Sequence, residues 1–151
     1  MDTSARDPVL ELLHDHEDLN QLVRDVGELA RRDDGVDPRA LEAQLGELRE
    51  QMFLHFAREE EGLFPSIAQA LPDTADDVAA LLVAHDAVCG ALARMLHAAR
   101  SGSPVQVRVI FERFESAYTA HARAERAFLQ SLAGRLSPED ARDLSALVRT
   151  L

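Results

Sequence analysis

The sequence predicts an all-α protein, an up-down antiparallel four-helix bundle with a short extra C-terminal helix. Three observations carry this. Apolar residues recur at three- and four-residue steps through four long segments. Breaker clusters divide those segments: Asp33-Asp34-Gly35-Val36-Asp37-Pro38, Leu71-Pro72-Asp73-Thr74, Ser101-Gly102-Ser103-Pro104 and Ser137-Pro138. No segment alternates with the period of a strand or is enriched in β-branched residues. Short connections between long helices make sequential neighbours antiparallel. The 151 residues are expected to form one domain, 1–151, with helices over about 8–32, 38–70, 74–101, 104–134 and 138–150.

Each helix is justified by its own stripe. The first carries Val9, Leu12, His16, Leu19, Val23 and Val26. The second opens at Asp37-Pro38, an N-cap followed by proline at the first helical position, and carries Leu41, Leu45, Leu48, Met52, His55 and Glu59. Pro65 is expected to end or kink it. The third carries Val78, Leu81, His85, Val88, Leu92 and Leu96. The fourth, opening at Ser103-Pro104, carries Val107, Phe111, Phe114, Tyr118, His121, Glu125, Phe128 and Leu132. The last opens at Ser137-Pro138, and its Leu144 and Leu147 fit packing across the bundle or dimerisation equally well.

In all four long helices a histidine replaces an apolar residue at an inward position. His55 and Glu59, and again His121 and Glu125, stand at i and i+4, so each pair leaves one helix face a turn apart. One histidine on an apolar stripe is ordinarily a satisfied core residue. Two inward glutamates are harder to absorb, because a buried carboxylate without compensation costs several kcal/mol. None of the stripes carries an arginine at that level, and Arg58 and Arg126 are turned off the stripe by one residue. Cations meet the need, and imidazole with carboxylate suits zinc, iron or manganese. A weak repeat between the halves, around His16 and His85 and again around His55 and His121, favours two metal ions, with non-haem iron the preferred identity. The candidate ligands are His16, His55, Glu59, His85, His121 and Glu125.

Three neighbours are candidates for roles around the metal. Tyr118, one turn before His121, reads as a core tyrosine with a partnered hydroxyl, or as a phenol touching the metal or its ligand. Cys89, one turn after His85, reads as a small hydrophobe, with a thiolate ligand or a redox-active group beside the metal as the minority reading. Asn20, one turn after His16, is placed to hydrogen-bond a ligating imidazole. His14, His97, Glu60 and Glu61 are expected at the solvated surface.

Composition narrows the partners. The net charge of −11, from 27 acidic and 16 basic residues, repels phosphate backbones and anionic headgroups, so neither nucleic acid nor a membrane is the expected partner. No apolar run is expected to approach the length needed to span a bilayer, and the N-terminal residues lack the apolar stretch of a signal peptide. All basic residues are arginine, which removes lysine Schiff-base chemistry and a Walker-type phosphate site. A single cysteine fits a reducing, cytoplasmic location.

The residues three before His16, His55, His85 and His121 are Leu13, Met52, Leu82 and Tyr118, so the Glu-x-x-His pattern of ferritin-like bundles is absent. The order His, His-x-x-x-Glu, His, His-x-x-x-Glu, with the run His55-Phe56-Ala57-Arg58-Glu59-Glu60-Glu61-Gly62-Leu63-Phe64-Pro65, resembles the hemerythrin-like family of HHE cation-binding domains. The likeness extends from about His16 to Phe128. It implies a bundle holding two iron ions as an oxo- or hydroxo-bridged di-iron centre, with the glutamates bridging or capping the irons. Zinc or manganese is the second choice. Oxygen carriers of the family have His-x-x-x-His on the third helix, whereas His85 is followed at i+4 by Cys89. With the fifth histidine missing, the resemblance implies open metal positions. That favours binding, sensing or reacting with O2, peroxide or nitric oxide, or buffering iron, over reversible carriage. Its rivals are a peroxidase- or catalase-like enzyme and a bundle with a purely structural zinc or manganese site.

Overall fold

The structure is a computed structural model that describes residues 8–32, 37–132 and 134–143, with side chains from Glu17 onward except at the undescribed positions. It is helical throughout, with no strand among the described residues. Helix α1 spans Pro8–Ala30, α2 Pro38–Arg58, α3 Phe64–Ala70, α4 Ala75–Arg100 and α5 Pro104–Ser131. A π turn, Glu59–Leu63, joins α2 to α3, and a short 3-10 turn, Pro72–Thr74, leads into α4. Helix α1 packs on α2 and α5, and α4 packs on α2 and α5, which closes the four-helix ring. Residues 138–143 are helical. The rest of the expected last helix, with Leu144 and Leu147, lies outside the described residues.

The stripes account for the packing. Every residue read as inward is buried wherever its side chain is described, from Leu19, Val23 and Val26 on α1 to Leu132 after α5. Helix ends follow local chemistry. The Asp37 carboxylate accepts from the Arg39 N–H, and Ser137 Oγ accepts from the Asp140 N–H, as N-caps do. Ser103 departs from expectation: its side chain makes no cap bond, and only its carbonyl accepts, from the Val107 N–H at 3.2 Å. The preceding turn explains it. Gly102 at φ +73° lets the Ser103 N–H reach the Ala98 carbonyl and its own N–H reach Ala99, a Schellman ending that commits Ser103 to closing α4. Arg108 closes the C-terminal end of α1 by donating to the Ala30 and Arg32 carbonyls.

The expected break near Pro65 takes a specific form. Pro65 cannot donate, and in α register its ring would strike the carbonyl four residues back. The chain widens instead: the Phe64 N–H donates to the Glu59 carbonyl, five residues back, and the helix then resumes as α3.

One expectation needs correction. Pro72–Arg100, 29 residues, is long and apolar enough by length and composition to cross a membrane, although His85, Asp86 and Arg94 interrupt any pure apolar run. Its buried residues from Val78 to Ala99 face α2 and α5, so its apolar character serves the bundle core.

Phe111 of α5 crowds α1 at Gly27. A Cβ there would lie 2.7 Å from Phe111 Cζ, and Phe111 is fully buried. Gly27→Ala should therefore destabilise the protein by about 1–3 kcal/mol. Gly46→Ala, with nothing within 4 Å, should stabilise it by roughly 0.5–1 kcal/mol. Urea unfolding of the two variants checks the opposite signs.

Candidate metal centre

The ligand-type residues occupy a layer between two apolar clusters. One cluster includes Val88, Phe56, Phe114 and Tyr118. The other includes Leu63, Phe64, Val78, Leu81 and Phe128. Between them α2 contributes His55, the π turn Glu59, α4 His85, and α5 both His121 and Glu125. Their relative exposures are 0% for Glu125, 1% for Glu59 and His85, 4% for His121 and 7% for His55. Helical stepping alone delivers them, because each continues a stripe that is otherwise apolar.

The five side chains converge. His85, His121 and Glu125 offer ligand atoms all within 4.8 Å of one another, and so do His55, Glu59 and Glu125. Glu125 belongs to both trios. His121 Nε2 lies 2.7 Å from Glu125 Oε2, and His55 Nε2 contacts Glu59 Oε1. His85 Nε2 lies 3.8 Å from Glu59 Oε2 and 3.9 Å from Glu125 Oε2. Those last separations exceed a hydrogen bond but suit donors that share an ion at about 2.0–2.2 Å from each.

His85 supplies the test of fit. Its Nδ1 lies 2.9 Å from Glu60 Oε1, and an ionised carboxylate only accepts, so Nδ1 is the donor. In the neutral ring, Nε2 then carries a lone pair, buried and without a hydrogen-bond partner, facing two carboxylate oxygens. A cation between them resolves that conflict. Burial disfavours the charged ring, but the Glu125, Glu59 and Glu60 carboxylates outweigh it and hold the His85 pKa above the ordinary value. His121 Nδ1 is likewise buried without a hydrogen-bond partner. Imidazoles and carboxylates in this proportion fit zinc, iron or manganese.

The ring planes are held by aromatic neighbours. Phe56 stacks on His85, centroids 3.7 Å apart and planes 7° from parallel, and meets His121 edge-on at 5.4 Å. Phe64 covers His85 from the other cluster at 5.7 Å. These faces exclude water and fix where the ring nitrogens point.

The remaining candidates separate. His16 lies on α1, but its side chain, like that of His14, is outside the described residues. Tyr118 and Asn20 find each other: the phenol donates to Asn20 Oδ1 at 2.6 Å, tying α5 to α1 beside the cluster. Burial, then the Glu125 carboxylate, pushes the Tyr118 pKa up, so the phenol keeps its proton. Cys89 is half-buried against the core, and burial with the Glu60 and Asp86 charges pushes its thiol up to about 11. A neutral thiol is a poor metal ligand. His97 is exposed.

Glu60 is the residue that sequence reasoning missed. It is exposed as expected, yet it holds His85 Nδ1. The available signal was Pro65, since the wider turn that accommodates it re-aims the residues just before. Glu60→Ala should lower cation affinity by roughly tenfold or more with the fold retained. Metal titration followed by circular dichroism checks this, and unchanged affinity would count against the positioning role.

The chain matches the family model described as the hemerythrin HHE cation binding domain over residues 7–133. Compared with curated proteins and with solved structures, it gives no significant match. The family match and the buried histidine–glutamate cluster both point to metal binding. With that match covering most of its length, the chain belongs to the hemerythrin HHE cation-binding domain family.

Proposed function

We propose that the protein binds two iron ions in this layer and uses them to bind, sense or react with O2, peroxide or nitric oxide, or to buffer iron. The observation that carries the reading is Glu125, buried completely and common to both trios. One carboxylate serving two sets of donors suits a pair of cations with a shared ligand. His55 and Glu59 would complete one site, His85 and His121 the other, and His16 would add a sixth ligand from α1. Bound iron would supply reversible one-electron chemistry and affinity for small diatomic or peroxide ligands. The chain itself supplies the rest. Phe56 and Phe64 keep the layer dry, Glu60 orients His85, and the Tyr118–Asn20 bond braces the neighbouring helices.

The test is anaerobic loading with ferrous iron, then exposure to oxygen, nitric oxide or peroxide while recording the visible spectrum. Ligand-dependent bands absent from the zinc-loaded protein support the reading; identical featureless spectra would overturn it and leave a structural cation. Sustained peroxide consumption would move the function to a peroxidase- or catalase-like enzyme.

A further inference from the structure

A cleft of about 380 Å³ opens between α1 and α2, and the centre lies behind it. Asp18 and Gln21 line it from α1, and Glu47, Gln51 and Arg58 from α2, with Leu19, Leu22 and Leu54 beside them. His55 forms part of the same wall. The gradient of burial runs inward: Asp18, Gln21, Glu47 and Gln51 are exposed, Arg58 is half-buried, and His55 is 7% exposed. His55 is also the most exposed of the five clustered residues, so this is the side on which the layer comes nearest to water.

Among the described residues, the other four clustered side chains are each 4% exposed or less. The two apolar clusters seal the layer above and below. Phe56 lies flat on His85, and His85 is only 1% exposed beneath Glu60. A hydrated divalent cation cannot cross such surfaces without losing its water uncompensated, because charge transfer into an apolar medium is very costly. It needs oxygen donors along its path, and hard cations take carboxylate and amide oxygens. The cleft supplies both, with carboxylates at Asp18 and Glu47 and amides at Gln21 and Gln51. A small uncharged diatomic molecule has no such requirement.

We infer that the α1–α2 cleft is the route by which cations enter and leave the centre, with His55 as the first buried donor they meet. The inference rests on the metal-binding reading above. Asp18 and Glu47 draw the cation in, and the half-buried Arg58 guanidinium in the cleft wall opposes its passage.

The experiment is cobalt(II) uptake by the metal-free protein, followed by its visible absorption in rapid mixing and by final metal content. Circular dichroism establishes that each variant is folded. The variants are the double substitution Asp18→Asn with Glu47→Gln, the obstructing Gln51→Trp, and Arg58→Gln, with Val105→Trp on exposed α5 surface as control. At low ionic strength the double variant should load more slowly by roughly threefold or more, and added salt should shrink the difference. Gln51→Trp should also slow loading, Arg58→Gln should speed it, and final content should match the wild type in all. Wild-type rates in both the double variant and Gln51→Trp would overturn the route while leaving the centre standing. A wild-type protein that takes up no cobalt would overturn the metal reading itself, and no variant is needed to see that.

Discussion

Glu125→Ala should empty the centre, leaving metal content near zero in protein that still folds as a bundle. Glu125 is 0% exposed and belongs to both groups of convergent donors, so its loss removes an anionic ligand from each. Glu59 belongs to one group, although its Oε2 also faces His85 Nε2 at 3.8 Å. Glu59→Ala should therefore lower metal content sharply without matching the loss at Glu125. Truncating either side chain removes negative charge that the cations need, since imidazoles alone neutralise nothing. Metal analysis of the two variants beside the wild type checks the order. Full iron loading in Glu125→Ala would contradict the shared-ligand assignment.

Chelation should produce the second large effect. A ligand that binds only the folded chain stabilises it by about 4 kcal/mol when present at a thousand times its dissociation constant. For a chain of 151 residues, that corresponds to a fall in Tm of roughly 10 °C on stripping the metal. The physical source is the layer itself. Two buried carboxylates and a buried imidazole nitrogen facing them are tolerable with cations and costly without. Thermal scans before and after dialysis against chelator measure the shift, and refilling with iron should restore it. An unchanged Tm would mean that the layer is satisfied without metal.

Much of this architecture was legible because helical stepping is a strong signal. The stripe through Val107, Phe111, Phe114, Tyr118, His121, Glu125 and Phe128 is buried along its whole length, so a glutamate on it is inward by geometry alone. The convergence of His55, Glu59, His85, His121 and Glu125 follows once the stripes of α2, α4 and α5 face one axis. What was not legible depends on departures from the α period or on distant pairing. Glu60 reaches His85 only because the turn before Pro65 closes on a bond five residues long, a choice that the α pattern hides. Tyr118 and Asn20 are 98 residues apart, and nothing local to either names the other. Ser103 reads as an N-cap, but the glycine before it turns its backbone to the end of α4 instead. The average apolarity of α4 was hidden by the charged and histidine residues scattered along it, and only its neighbours show what that apolarity packs against.

The most direct test of the two-cation centre is metal content per chain, by mass spectrometry, on untagged protein from iron-supplemented growth and again after anaerobic reconstitution. The account predicts about two irons per chain, in keeping with a donor set of imidazoles and carboxylates. A chain that stays free of metal after reconstitution, or that holds a single zinc and refuses iron, would contradict it.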